Sequence, residues 1–487
     1  MRSYLLIALA VAVGALACSA IARSQTELLD VGLCSGLSED PVVVIEVPED
    51  PVFPGEEWDW AESPETLGWS AEKLAKAEEY AERIGSAAVM IIDNGVAIAG
   101  WGDLGLNYHC HSMRKSLMSA LIGIYVSEGA IDMHATLADL DIDDITPLTD
   151  EEQQATVQEL LQARSGIYIR AAGESEGMAN SRPKRGSHPH GTFWYYNNWD
   201  FNALGTIFDQ ETGEPNIYEA FDRRIARTIG MQDFRPERLA YHYVDYTAHP
   251  YYGFNMSTRD LARFGLLFLR NGRWESEQVI PAAWVAESTA SHSTRGAQGG
   301  YGYMWWTGTG IGYFSNVVVS EHSYYASGYG GHNVFVLPQR NLVVVHRANT
   351  FANGRLVDDG AIGALLWMIL DAASETDIGD TPFIEQASGT KLSGEDLRRT
   401  IPGCTLTALD GSGTPTVVCH QDGSLDVLAG DAPMFDGDWW IAADRLCFDI
   451  PGLDTHSDCF HVVRDEDVLA IFDLNGIISI RFRVVDK

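Results

Sequence analysis

From residue 70 onward the apolar positions fall into two rhythms, a helical spacing and short β-like runs bounded by turn residues. Leu74, Ala77 and Tyr80 form a helical stripe behind Ser70, a side chain suited to capping a helix start. Residues 87–92 and 96–99 flank Asp93-Asn94-Gly95, a hairpin signal because Asn-Gly accepts the positive φ angles of a tight turn. A third strand-like run, 104–109, leads to Ser112, and Leu117, Leu121, Ile124 and Tyr125 then predict a helix ending near Gly129. Helices and loops dominate to about residue 290. Strand-like runs return at 300–306, 324–329, 333–337 and 342–346, the last two joined by Pro338-Gln339-Arg340-Asn341, and 361–373 fits a closing helix. Strands at both ends of residues 70–375 enclosing a helical middle predict an α+β fold: one antiparallel sheet built from distant segments, flanked by helices and carrying a helical insert.

The pattern changes outside those limits. Residues 1–22 carry Arg2, an apolar run from Tyr4 to Ala17 and Ala20-Ile21-Ala22, the layout of a secretory signal peptide. The expected location is therefore periplasmic or secreted. Cys18 after Ala15-Leu16-Ala17 half fits a lipoprotein box, a minority reading, and no stretch is long enough for a membrane span. Residues 23–69, rich in proline and acid, read as an extended N-terminal arm, and 376–394 as a linker. Residues 395–487 turn β-rich, with Asp-Gly turns at 410, 422 and 436. They read as a small disulfide-stapled β-domain. Without the leader six of the seven cysteines remain, an even number expected to pair in an oxidising compartment. Cys404 with Cys419 and Cys447 with Cys459 is the simplest pairing, leaving Cys34 and Cys110 as a third.

Composition narrows the partners. At 46% hydrophobic and 21% charged the chain is ordinary for a folded protein, and at 487 residues two domains are expected. A net charge of -35 opposes binding to a phosphate backbone, so no nucleic-acid partner is expected.

The candidate chemistry starts at Ser112-Met113-Arg114-Lys115, which sets a hydroxyl and an amine one helical turn apart where strand gives way to helix. A serine hydroxyl needs a base within hydrogen-bond reach. A lysine buried near a helix N-terminus has its charged form disfavoured by lost hydration and by the positive end of the helix dipole, so it can accept that proton. The same N-terminus directs the Ser112 N–H toward a developing oxyanion. Alone, a Ser-x-x-Lys match is weak. A second motif, Tyr196-Asn197-Asn198 ahead of Leu204-Gly205, supplies a phenol for proton relay and an amide for orientation, with Tyr195-Tyr196-Asn197 as a register one residue earlier.

With these motifs the chain resembles the serine beta-lactamase-like hydrolases, the superfamily of class C beta-lactamases, D-alanyl-D-alanine peptidases, related esterases and 6-aminohexanoate-dimer hydrolases. The resemblance covers about residues 70–372 and includes Leu160-Leu161-Gln162-Ala163-Arg164-Ser165-Gly166, Met256-Ser257-Thr258-Arg259-Asp260-Leu261-Ala262 and Tyr301-Gly302-Tyr303-Met304-Trp305-Trp306. It implies Ser112 as nucleophile, with Lys115 and Tyr196 handling its proton and Asn198 binding substrate. The superfamily's third motif, usually Lys-Thr-Gly or His-x-Gly, corresponds to Ala326-Ser327-Gly328, which makes the N–H of Tyr329 the second oxyanion donor beside that of Ser112. Gly328, Tyr168 and Trp199 are further candidates for the substrate pocket. The usual cation or imidazole before the strand glycine is missing, and that residue helps relatives hold a substrate carboxylate. The expected reaction is therefore cleavage of a small ester or amide, with beta-lactamase or D-Ala-D-Ala peptidase activity and a non-catalytic binding protein as alternatives.

No cofactor is expected. His109-Cys110-His111 and His188-Pro189-His190 bear metal-binding side chains, but on a strand Cys110 faces away from its neighbours, and no His-Glu-x-x-His or paired Cys-x-x-Cys is present. A Gly-x-Ser-x-Gly elbow is also absent, setting aside an ordinary α/β-hydrolase.

Overall fold

The structure is a computed structural model. It describes residues 51–373 apart from 295–298, 309–313, 315–316, 318–321 and 352–355, and residues 390–486 apart from 409–414, 430–431, 443, 450–457, 466–467 and 473–477. The expected signal peptide, Cys18, Cys34, most of the N-terminal arm and most of the linker lie outside the described residues. Chain contacts separate two compact units, one within 43–379 and one within 380–487 together with 1–42.

In the larger unit, the main elements are α1 (Ala71–Ile84), β1 (Ala88–Asp93), β2 (Val96–Gly102), α2 (Arg114–Ser127), α3 (Asn198–Thr212), α4 (Thr258–Leu269), β3 (Tyr324–Gly328), β4 (His332–Leu337), β5 (Leu342–Arg347) and α5 (Asp359–Ala372). The sheet runs β2-β1-β5-β4-β3 and continues through three two-residue strands, Trp306–Thr307, Gly300–Tyr301 and Ser293–Thr294, with every described neighbour antiparallel. Strand β1 pairs with one about 250 residues later, Ala88 opposite Arg347 and Asp93 opposite Leu342, so the sheet closes only when the distant ends of the unit meet. Every residue of β4 and β5 is buried, as expected for strands covered on both faces.

Local chemistry explains the elements. The Ser70 hydroxyl caps α1 by accepting from the Lys73 N–H, Gly85 ends it at φ 86°, and Leu74, Ala77, Tyr80 and Ala81 form the buried stripe. Asn94 and Gly95 take φ 48° and 87° between the paired residues Asp93 and Val96. Helix α4 comes close to the sheet because Gly265 has no side chain: a Cβ there would sit 2.6 Å from Val343 Cγ1. Helices α1 and α5 pack on each other, with the Ser70 N–H donating to the Ala372 carbonyl at 2.9 Å.

Two expected strands need correction. Residues 104–109 are not one strand: the Asp103 carboxylate accepts from the Gly105 and Leu106 N–H groups, making a turn, and only Tyr108–His109 is extended, paired with Asn255–Met256 instead of the main sheet. Residues 300–306 are a tight hairpin instead of one strand, because Met304 takes φ 61° and Gly302 N–H donates to the Trp305 carbonyl at 2.8 Å. Within the N-terminal arm, residues 59–61 lie beside β2, with Ala61 N–H donating to the Ala97 carbonyl and Ala97 N–H to that of Asp59.

The smaller unit is a ring of eight antiparallel strands between 405 and 486, closed where Asp458–Asp465 pairs with Val468–Phe472 and lined by Leu406, Leu425, Leu446, Val462, Leu469 and Phe482. Cys447 and Cys459, directly opposite one another, are disulfide-bonded. Cys404 and Cys419 are buried neighbours on adjoining strands, the Cys419 N–H donating to the Cys404 carbonyl, and their side chains are not joined by a disulfide. Contact with the Cys404 side chain, followed by burial, pushes the Cys419 thiol pKa up.

Candidate active site

The chain reaches Ser112 through an abrupt turn. Cys110 N–H is anchored on the Phe254 carbonyl at 2.8 Å, His111 takes the left-handed conformation at φ 46°, and Ser112 lies in the single 3-10 turn His111–Met113 that feeds α2. A non-glycine residue at positive φ immediately before the serine is strain that the surrounding contacts must hold. The His111 Nε2 lies 2.8 Å from Thr350 Oγ1, and its ring meets His109, His332 and Tyr329. Burial, then the charges of His109, Arg347 and Lys115, lower the His111 pKa to about 4.

Lys115 enters the same space from the first turn of α2. Its Nζ lies 2.8 Å from Ser112 Oγ and over the rings of Tyr196 (4.6 Å) and Phe201 (5.0 Å). The side chain is 2% exposed, and burial followed by the Arg114 charge holds its pKa well below the usual lysine range. A lysine in that state accepts a proton from a neighbouring hydroxyl.

Tyr196 closes the other side. Burial pushes its phenol pKa up, and the neighbouring Ser112 hydroxyl opposes that rise. Its ring stacks on Trp306 at 5.3 Å and meets Tyr301 edge-on. Of the two tyrosine registers, Tyr196 is the one beside the serine, whereas Tyr195 donates its hydroxyl to the Met178 carbonyl at 2.6 Å. Asn197 caps α3, accepting from the Trp199 N–H, while its Nδ2 donates to Ile167 and Asp200. Asn198 donates its Nδ2 to the Gly173 carbonyl at 2.7 Å, and its Oδ1 is buried with no hydrogen-bond partner.

The end of β3 presses against the serine turn. A Cβ on Gly328 would lie 2.4 Å from the Cys110 carbonyl oxygen and 3.3 Å from His111 Cβ, so only glycine allows this approach. Tyr329 follows in the turn, its ring edge-on to His111 at 5.7 Å. His332 is buried and accepts from Arg347 Nε on its Nδ1 at 3.0 Å, and burial drives its pKa far down, leaving it neutral.

Ser112, Lys115, Tyr196 and the Gly328–Tyr329 corner thus converge, whereas two pocket candidates do not join them. Trp199 is wholly buried, its indole donating to Asp144 at 2.6 Å and its ring edge-on to His249, which makes it a core residue. Three positions after Tyr196 on a helical start, it is carried round into the helical core. Tyr168 packs against Tyr195 and His188, with burial raising its pKa to about 12.

Histidines named as metal candidates have other partners: His109 lies against Asn255 and Tyr251, His111 against Thr350 and His190 against Glu159. Among the described residues no group of three or more His, Cys, Asp or Glu side chains is arranged to hold a metal ion. Sequence reasoning passed over Arg114 and its surroundings: the guanidinium is fully buried, lies over the rings of Tyr251 (4.3 Å) and Tyr252 (4.2 Å), and donates to Asn202 Oδ1 at 2.7 Å. The only signal was its place inside the Ser112–Lys115 motif.

The sequence profile described as Beta-lactamase matches residues 72–366. The chain belongs to the beta-lactamase family. This family has a serine hydrolase fold, and the match spans the sheet, the Ser112 turn and α1 through most of α5. No curated protein matches the chain. Solved structures similar to this beta-lactamase-family chain include an octameric penicillin-binding protein homologue from Pyrococcus abyssi, at 16% identity and TM-score 0.49, covering 84% of this chain and 99% of that one. A Bacillus anthracis protein named as a 6-aminohexanoate-dimer hydrolase is 18% identical at TM-score 0.47, covering 68% and 89%. A beta-lactamase from Mycobacterium bovis is 19% identical at TM-score 0.41, covering 59% and 96%.

Proposed function

We propose that this protein is an exported serine hydrolase that cleaves an ester or amide bond through an acyl-enzyme on Ser112. The observation that carries the reading is the buried Lys115 Nζ at 2.8 Å from Ser112 Oγ, its proton affinity depressed, with the Tyr196 ring 4.6 Å from the same Nζ. Lys115, with Tyr196, takes the serine proton as Oγ attacks the carbonyl carbon. The carbonyl electrons move to oxygen, where the N–H groups of Ser112 and Tyr329 stabilise the charge. Collapse expels the alcohol or amine, protonated through Tyr196, and water then releases the acyl group by the same route in reverse.

The substrate class follows from charge. The residue before Ser327-Gly328 is Ala326, where relatives carry a cation or imidazole, and His111 and His332 are held neutral. A neutral ester or linear amide fits this site better than a molecule that must be held by its carboxylate. Export rests on the 1–22 leader pattern and accords with the Cys447–Cys459 bond. The domain division proposed is 70–375 for catalysis and 395–487 as an accessory β-domain.

The test is a panel of chromogenic esters, amides and nitrocefin, run with the unmutated protein and Ser112→Ala. Turnover of an ester or amide ahead of nitrocefin, lost in the variant, is expected. Activity that survives in Ser112→Ala sinks the mechanism, and preference for nitrocefin overturns the substrate class. An inert protein whose Ser112 is not labelled by an activated phosphonate identifies a binding protein instead.

A further inference from the structure

We infer that Arg114 is an electrostatic positioning residue, a buried cation whose field acts on the adjacent Lys115 and readies it as the base of the site. The inference rests on the proposed function, since it assigns how that site's base is made ready. Its basis is an unusual placement of charge. Two consecutive basic side chains, Arg114 and Lys115, open α2, the end of a helix where positive charge is least favourable. Both are buried, and among the described residues neither is paired with a carboxylate.

The two respond differently. An arginine does not lose its proton in a protein, whereas a lysine does so readily when buried. Arg114 is held charged by a cradle that offers electron density without a formal negative charge: the faces of Tyr251 and Tyr252 and the Asn202 carbonyl oxygen at 2.7 Å. A carboxylate in place of Asn202 would cancel the field, and an amide leaves it intact. Tyr252 in turn donates to the Phe201 carbonyl, and the Phe201 ring lies under Lys115 Nζ, so the cradle and the lysine share one wall.

The remaining titratable neighbours do not supply a counter-charge. Tyr196 and His111 face Lys115 as neutral groups, and Asp200, beside Phe201 on α3, turns its Oδ1 to Ser165 and Asn197, burial raising its pKa strongly. After burial, the Arg114 charge is what lowers the Lys115 pKa, and the same charge opposes the burial-driven rise at Tyr196.

The experiment follows the rate of Ser112 labelling by an activated phosphonate against pH, in the unmutated protein, Arg114→Met and Asn202→Asp. The acid limb, where Lys115 loses its proton, is expected to move up by about one to three pH units in Arg114→Met. Below that limb each unit is a tenfold loss of rate. Asn202→Asp leaves Arg114 in place but neutralises it, and is expected to shift the limb in the same direction, so it decides the matter if Arg114→Met does not fold. A lowered plateau with an unmoved limb would mean that Arg114 only packs, which overturns the inference and leaves the proposed function standing. No labelling of the unmutated protein at any pH removes the nucleophile, and the inference with it.

Discussion

The starts of helices α2 and α4 share a serine and an arginine at the same spacing, Ser112-Met113-Arg114-Lys115 and Ser257-Thr258-Arg259-Asp260, and use them in opposite ways. At α4 the serine, the arginine and the aspartate all serve the fold. The Ser257 hydroxyl accepts from the Asp260 N–H, Arg259 grips Asp233 through two bonds of 2.6 and 2.8 Å, and the Asp260 carboxylate accepts from the Gln232 and Asp233 N–H groups. At α2 no side chain caps the helix, the serine points to a lysine, and two basic side chains sit where the helix dipole is positive. One start is built for stability. The other carries unfavourable electrostatics of the kind the proposed acyl transfer would use.

The comparison breaks first at the serines. Ser112→Ala is expected to lose more than about a thousandfold in hydrolysis. Its stability in urea should stay within about 0.5 kcal/mol of the unmutated protein, because the hydroxyl caps nothing. A large loss of stability with activity retained would make Ser112 a second Ser257.

Lys115 gives the next largest effect, with activity and stability moving in opposite directions. Lys115→Met is expected to lose about 10²–10⁴-fold in rate, the usual worth of a general base. It should also gain about 1 kcal/mol at neutral pH by replacing a buried, uncompensated amine with an apolar chain. The pH dependence follows from the depressed folded pKa. Below the ordinary lysine pKa of about 10.4 the unfolded chain binds a proton that the folded chain does not, so the penalty is present at neutral pH and fades as pH rises toward that value. Urea curves at pH 7 and pH 10 should therefore show the stability gap between variant and parent narrowing. A constant gap would mean Lys115 is charged in the fold.

Adjacent tyrosines sharpen the contrast within one segment. Tyr196→Phe removes the phenol beside Ser112 and is expected to cost about a hundredfold in rate. Tyr195→Phe removes a hydroxyl whose partner is the Met178 carbonyl, and should leave the rate within about twofold while costing about 1 kcal/mol of stability. Equal rates for the two variants would detach Tyr196 from the chemistry.

These pairs also mark what was legible in the sequence. The Ser70 cap, the Asn94-Gly95 turn and the α1 stripe could be read because each is settled by residues within one turn of each other. That Ser112 meets Lys115 could be read because residues three apart share a helical face, and that Tyr196 joins them only through the motif it shares with the family. Arg114 could not, since its meaning depends on Asn202, Tyr251 and Tyr252, which only folding brings to it. The 104–109 and 300–306 runs failed for a local reason, a side chain capturing amides at Asp103 and a left-handed residue at Met304. Trp199 failed because its aromatic character fits a pocket and a core equally well, and helical phase sent it to the core.

The smallest expected effect tests the other side of the comparison. Ser257→Ala should cost about 1 kcal/mol of stability, the usual worth of an N-cap hydroxyl, and leave the hydrolytic rate and its pH profile unchanged. The reason is geometric: the hydroxyl holds only the Asp260 N–H at 3.2 Å, while the Arg259–Asp233 pair and the amides on Asp260 hold the rest of the α4 start. Urea denaturation beside a rate assay measures both quantities on one preparation. A fall in rate larger than the loss of folded protein would show that the α4 start is coupled to the site through Met256, whose carbonyl accepts from Arg347 NH1 while Arg347 NH2 holds the Tyr108 and His109 carbonyls just ahead of the serine turn. With that bridge intact in the variant, the site is expected to remain unchanged, and the division of labour between the two serines stands.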